Sequence, residues 1–266
     1  MKDLIFIKWG GSLITNKDKP FTPNLETIQD LANQIRKIKE LKPELHLILG
    51  HGSGSFGHAV GNKYKTRVGV NTKEEWLGFS EVWFAARELN TFVVKALLDE
   101  KIPAITFPPS TFMTSSHRSG NQLFQTTINS ALEKNLVPVI HGDVIFDDQL
   151  GGTILSTEDI FTFLATYFNP KKILLAGLEE YIWADFPFNT APIKLITPEN
   201  FPEIKTNIQG SSSVDVTGGM LEKVRIMIDL VQTFPNTEVS VFSGLIQNCL
   251  IEEVLNKPVG TIIKSE

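Results

Sequence analysis

Short apolar runs punctuated by glycine and proline alternate along the chain with stretches of helical periodicity. The first run, residues 4–7, ends at Lys8-Trp9-Gly10-Gly11-Ser12. An unbroken run of this kind predicts a strand buried on both faces of a parallel sheet. Thr22-Pro23 then predicts a helix start, with threonine at the N-cap and proline at the first helical position. Ile28, Leu31, Ile35 and Ile38 recur at helical spacing and give that helix one apolar stripe. A second strand is expected over 45–49, running straight into the glycine-rich stretch from His51 to His58.

The alternation continues to the end. A long helix is expected over 72–98, carrying Trp76, Phe79, Trp83, Phe84 and Leu89, and a strand over 104–107 is stopped by Pro108-Pro109. Residues 111–121 are polar and predict a hairpin or flap, on which His117 and Arg118 read as surface residues. A helix over 126–134 leads to a strand over 137–141 and then Gly142-Asp143-Val144. Gly151-Gly152 marks a turn, and Ser156-Thr157-Glu158-Asp159 predicts the start of a helix reaching about residue 167. A strand over 171–176 opens a second half, which passes through a proline-bearing loop to Asp215-Val216-Thr217-Gly218-Gly219, a helix to about 234 and two closing strands. Strand, glycine turn, helix, strand is the βαβ signature of a layered α/β fold, with a boundary expected near Asn169-Pro170.

Composition narrows the class. The 266 residues suit one large α/β domain or two fused lobes, and 42% hydrophobic with 21% charged residues argues against disorder. Lys plus Arg number 25 against 30 Asp plus Glu, a net charge of −5, so no basic footprint for nucleic acid is present. The one cysteine, Cys249, excludes an intrachain disulfide framework and a multi-cysteine zinc site, and reads as a small buried apolar residue. No apolar run approaches the ~20 residues that span a bilayer, and Met1-Lys2-Asp3 is followed by no cleavage-like signal. The expectation is a soluble cytoplasmic enzyme, without membrane or nucleic-acid partners.

The chemistry concentrates in glycine turns. A glycine turn after a buried strand leaves backbone N–H groups open to an anion, and a following helix N-terminus adds partial positive charge. Three such turns occur: Gly10-Gly11-Ser12, Gly52-Ser53-Gly54-Ser55 with Gly57, and Gly218-Gly219. Each has a cationic or titratable neighbour, namely Lys8 and Lys17, His58, and Lys223. Together they suggest two facing phosphate groups. The P-loop pattern, the dinucleotide G-x-G-x-x-G spacing and the serine-hydrolase elbow are all missing.

Lys8-Trp9-Gly10-Gly11-Ser12 with Thr15 and Lys17, the glycine stretch closed by His58, the sequence HGDV at 141–144 and DVTGGMLEKV at 215–224 resemble the amino acid kinase superfamily, with the motifs in family order and nearly end to end. Within it they are most similar to the isopentenyl phosphate kinases, in which the histidine closing the glycine loop holds the substrate's phosphate. The resemblance implies a three-layer αβα sandwich around a central, mostly parallel sheet. It implies an acceptor lobe over 1–169, a nucleotide lobe over 170–266, and a homodimer. It also implies phosphoryl transfer from ATP, with Mg²⁺, to isopentenyl phosphate, with no dedicated protein metal ligands.

The same resemblance assigns roles. Lys8 would sit on the transferring phosphate, Lys17 would stabilise the transition state, Lys223 would bind the ATP β- and γ-phosphates, and His58 would grip the acceptor phosphate. Gly11, Ser53, Gly54, Asp143 and Thr157 fall on the acceptor side, while Gly10, Gly11, Ser12, Gly54, Leu178, Trp183, Asp185 and Gly219 fall on the nucleotide side. Asp143 could cap a turn or orient Lys8 and Lys17 by ion pairing, and His141 could simply donate to backbone. Phe79, Val82, Trp83 and Ala86 recur at helical spacing, as either a tail-facing stripe or ordinary core. Three departures stand out: Leu178 replaces an aspartate of the nucleotide strand, Thr157 a glycine of a Ser-Gly-Asp-Asp motif that keeps Asp159, and Ser53 a glycine of a triple-glycine loop. Two alternatives remain at this level: a sister kinase acting on a phosphonate such as fosfomycin or another alkyl phosphate, and a binding protein with a degenerate kinase site, supported by Leu178.

Overall fold

The computed structural model describes residues 3–208 and 219–266. The expectations on Asp215, Val216, Thr217 and Gly218 therefore lie outside the described residues. The first strand, Leu4–Trp9, is buried at every position. Its side chains alternate between two cores, Ile5, Ile7 and Trp9 on one face and Leu4 and Phe6 on the other, which is why the sequence reads as one continuous apolar run. Helices Leu25–Leu41, Lys73–Asp99 and Cys249–Val254 cover the first face. Helices Thr126–Glu133, Thr157–Phe168 and Gly219–Thr233 cover the second. The result is a three-layer αβα sandwich.

Leu4–Trp9 lies in the interior of the central sheet. On one side it is followed by His46–His51, Val137–His141 and Ala104–Thr106. On the other side come Lys172–Gly177, Glu238–Ser243, Thr261–Ile263 and Leu195–Ile196. Every neighbouring pair is parallel except Glu238–Ser243 with Thr261–Ile263. The chain thus lays its first half to one side of Leu4–Trp9 and its second half to the other. Ligands of open α/β sheets bind at such a reversal, beyond the carboxyl ends of the strands.

Local signals explain most element ends. Thr72 and Glu75 form a capping box at the start of Lys73–Asp99, and Ser156 and Asp159 form another before Thr157–Phe168. The first long helix is a correction: it begins at Leu25 with Asn24 as N-cap, after the expected Thr22-Pro23 start. Pro23 is instead bridged to Thr15. Asn24 is tied down too, its N–H donating to the Ile14 carbonyl and its side-chain amide to Leu13. Folding this segment back onto 13–15 overrides the local proline signal.

A smaller four-stranded sheet packs beside the main one, in the order Ser119–Leu123, Met113–Ser116, Asp143–Asp147, Gly151–Leu155. The expected hairpin over 111–121 is its first pair, turned by His117 and Arg118, both left-handed at φ 48° and 64°. Asp147 holds that turn. Its carboxylate accepts the N–H groups of His117 (3.2 Å) and Arg118 (2.8 Å), the Ser115 hydroxyl (2.8 Å), and the N–H groups of Gln149 and Leu150 (3.0 Å each). Burial opposes ionisation, but these donors outweigh it and bring the Asp147 pKa down to about 2. A lowered carboxyl pKa stabilises the fold above the unfolded value near 3.8 and loses that contribution as pH falls toward 2. Asp147→Asn is therefore expected to lower urea stability at pH 7, with the gap to wild type narrowing between pH 4 and pH 2. A gap that does not change with pH would contradict the assignment.

Candidate active site

The carboxyl ends of Leu4–Trp9, His46–His51, Val137–His141 and Lys172–Gly177 open onto one cavity of about 710 Å³. Two glycine loops form its floor, and they touch backbone to backbone. A Cβ on Gly11 would lie 2.5 Å from the Gly54 nitrogen and 2.7 Å from its Cα, so only glycine permits the approach. Gly54 opens the helix Gly54–Tyr64 at φ 50°, and a Cβ there would strike the Thr15 hydroxyl at 2.3 Å. That hydroxyl stitches the loops together, donating to the Gly11 carbonyl (2.7 Å) and accepting the Ser55 N–H (3.0 Å). The Gly10 N–H donates to Ala176 (2.7 Å) and the Gly52 N–H to Trp9 (3.0 Å), which fixes both loops to the sheet.

Lys8, at the end of a buried strand, cannot stay charged without a counter-charge. Glu158, buried in the first turn of Thr157–Phe168, supplies it through a direct ion pair. Burial alone would raise the Glu158 pKa, but the positive charges of Lys8 and Lys223 prevail and hold the carboxyl below its usual value. One carboxylate thus sits in the field of lysines from both halves of the chain. Of the two roles expected for Asp143, capping a turn and pairing with Lys8 and Lys17, the pairing is not seen among the described residues. Asp143 lies 3.2 Å from the His141 ring and accepts the Val144 N–H at 2.7 Å, and its complete burial pushes its pKa up.

Behind the floor, the ring of His51 stacks on His141 at 5.1 Å. Burial first, and the neighbouring His141 second, drop the His51 pKa to about 3, so the ring is neutral. The Asn90 amide donates to His51 Nε2 (3.0 Å), which leaves the Nδ1–H to donate to the Gly52 carbonyl (3.0 Å). The Thr157 hydroxyl donates to the His51 carbonyl (2.7 Å). The residue that replaces a motif glycine is therefore a tie between Thr157–Phe168 and the glycine loop.

The cavity wall brings together Lys8, Gly10, Gly11, Ser12 and Lys17 with Ser53, Gly54 and His58. It also carries Asp143, Thr157, Leu178 and Lys223. Five expected site residues are not on it. Phe79 and Trp83 pack with Val70, Val82 and Val144 in a small core of their own, and of their stripe only Val82 reaches the wall, beside Ile154 and Leu155. Asp185 is spent on its own loop, accepting from the Thr190 hydroxyl and from the Thr190 and Ala191 N–H groups. Trp183 donates to Glu179 at 3.1 Å, and Gly219 opens the last long helix at φ 71° without reaching the wall. Sequence reasoning missed Glu158, Glu179 and the Thr15 stitch. Glu158 carried a signal, as the acid just before Asp159 in the Ser-x-x-Asp helix start, and Thr15 stood in the first glycine motif with no role assigned.

The amino acid kinase family matches the chain over residues 3–243. An isopentenyl phosphate kinase of Methanocaldococcus jannaschii is 34% identical over 270 residues, 98% of this chain and 98% of its own. Another, from Methanothermobacter thermautotrophicus, is 26% identical over 94% of this chain and 96% of its own. A solved isopentenyl phosphate kinase structure superposes with a TM-score of 0.81 over 98% of this chain and 100% of that one, at 24% identity. At that identity the likeness speaks for the fold.

Proposed function

The chain belongs to the amino acid kinase family, and from that membership we propose that it transfers the γ-phosphoryl group of ATP to isopentenyl phosphate, giving isopentenyl diphosphate and ADP. The observation that carries the reading is one cavity holding Lys8, Lys17, Lys223 and His58 over two interlocked glycine loops, with Val82, Ile154 and Leu155 on the same wall. A phosphate, a second phosphate chain and a short apolar tail are what such a wall accommodates.

In this reading an oxygen of the acceptor phosphate attacks the γ-phosphorus, and the bond to the oxygen bridging to the β-phosphate breaks. The attacking group is already ionised near neutral pH, since a phosphomonoester loses its second proton near pH 6, so no general base is required. The work is positioning and charge neutralisation. His58 donates to the acceptor phosphate, with the N–H groups of the Ser53-Gly54 turn beside it. Lys8, aimed by Glu158, meets the transferring group, and Lys17 offsets charge that builds in the transition state. Lys223 binds the β- and γ-phosphates from the other half of the chain. The acceptor thus belongs to the lobe 1–169 and the nucleotide to the lobe 170–266. Leu178, on the wall beside Gly177 and Glu179, offers the nucleotide an apolar contact.

No group of three or more His, Cys, Asp or Glu side chains able to cage a metal occurs among the described residues. Mg²⁺ in this reading would arrive with the nucleotide phosphates and keep several of its waters, and it would supply charge neutralisation there. No helix among the described residues is long and apolar enough to cross a membrane. A homodimer and a cytoplasmic setting belong to the same reading, the first resting on the family resemblance and the second on the sequence pattern. Retention of Lys8, Lys17, His58 and Lys223 on one wall favours a working kinase over a degenerate binding protein.

A coupled ADP-release assay with Mg-ATP tests the reaction. Fast turnover of isopentenyl phosphate and dimethylallyl phosphate, with none of N-acetylglutamate, is expected; silence on both prenyl phosphates would overturn the reading. His58→Ala should raise KM for isopentenyl phosphate about tenfold or more while KM for ATP stays within about twofold. Wild-type acceptor KM in that variant would contradict the role of His58. Glu158→Gln should keep the fold by circular dichroism and lower kcat on the order of 10²-fold, because Lys8 loses its aim. An unchanged kcat would remove Glu158 from the mechanism.

A further inference from the structure

A second cavity of about 650 Å³ adjoins the first, and Gly61, Asn62 and Arg67 wall both. Its lining includes Lys65, Arg67, His117 and Arg118 and, among the described residues, no carboxylate. In a chain of net charge −5, such a local excess of basic groups, three of them exposed, makes a positive field over a concave surface.

The backbone shows what holds these groups there. Lys65, His117 and Arg118 have φ of 52°, 48° and 64°. The left-handed region disfavours a side-chain-bearing residue by roughly 1 kcal/mol or more, and a two-residue turn with both φ positive normally takes Asn-Gly. Here a histidine and an arginine occupy that turn, fastened by Asp147 through their own N–H groups. Two of the four, His117 and Arg118, thus reach the cavity from a turn their side chains disfavour, held there by Asp147, and Lys65 reaches it from the left-handed cap that ends Gly54–Tyr64. The fourth gives an independent sign. Arg67 walls both cavities, and its Nη1 has no hydrogen-bond acceptor among the described residues, so a guanidinium donor is left over for an anion that the side chain turns to meet.

We propose that Lys65, Arg67, His117 and Arg118 form a binding site for a small phosphate polyanion of the diphosphate type, distinct from the phosphate positions of the transfer reaction. Guanidinium groups match paired phosphate oxygens bidentately, and four basic side chains suit a charge of two or three rather than a single carboxylate. Asn62 lies four residues beyond His58 on the helix Gly54–Tyr64, so both share one face of that helix. An anion seated at Arg67 therefore borders the acceptor cavity without entering the glycine loops.

The probe is inorganic pyrophosphate, titrated into the full chain while the His117 ring is followed by NMR, with His117→Asn identifying its signals. The chain is kept saturated with isopentenyl phosphate and a non-hydrolysable Mg-ATP analogue, so that the phosphate positions of the reaction are filled. Saturable movement of the His117 signals is expected, with a dissociation constant weakened about tenfold or more in Lys65→Ala/Arg118→Ala. That variant leaves the backbone bonds to Asp147 in place, and without pyrophosphate its kcat and KM for isopentenyl phosphate should match wild type. Still signals at His117, or equal affinity in the double variant, would overturn the proposal. Because His117 reports on this cavity directly, the result stands whether or not isopentenyl phosphate proves to be the acceptor.

Discussion

Gly11 rests against Gly52 and Gly54 with no side chain between them, and the position of everything else in the site follows from that approach. A Cβ on Gly52 would come within 2.7 Å of the Gly11 nitrogen, as one on Gly11 would within 2.5 Å of the Gly54 nitrogen. Adjacent parallel strands alone would leave their following loops a strand spacing apart, about 4.8 Å. Pressing the loops together lets N–H groups from both face a single space. Two phosphate chains can then be brought into bonding distance without a bulky residue between them, which is the central difficulty in joining two polyanions. The Thr15 hydroxyl and the neutral His51 ring hold the arrangement from either side.

Charge is arranged by the same economy. Burying a lysine at a strand end and a carboxylate at a helix start is unfavourable for each alone and tolerable for the pair. Lys8 and Glu158 are that pair, and Lys223 adds its field from the opposite half of the chain. Glu158 therefore couples the two halves electrostatically at the line where the sheet reverses direction. Loss of its charge would be felt by both lysines at once.

The fold was legible because its signals are local. Leu4–Trp9, His46–His51 and Val137–His141 are apolar runs ending in glycine motifs, and Thr157–Phe168 announces itself through its capping box. The residues of the glycine loops, with Lys8, Lys17, His58 and Lys223, could be named for the same reason. Partnerships across the fold could not. Periodicity places Phe79, Val82 and Trp83 near one helix face, yet only the packing of the small sheet decides that Val82 meets the cavity and the two aromatics do not. Asp143 and Glu158 are both acids at the ends of strands or starts of helices, and only tertiary placement gives His141 to one and Lys8 to the other. Asp185 looked available in sequence because its loop partners, Thr190 and Ala191, carry no pattern that reveals them. Leu25–Leu41 starts late because a long-range bridge from Pro23 to Thr15 outranks the proline rule.

If the backbone contact between the glycine loops sets the distance between donor and acceptor phosphates, separating them by one methyl group must damage both sides of the reaction together. The direct measurement is steady-state kinetics of Gly11→Ala with ATP and isopentenyl phosphate each varied. The account predicts that kcat/KM falls on the order of 10²-fold or more for both substrates while the folded secondary structure is retained. Wild-type kinetics, or a loss confined to one substrate, would contradict it.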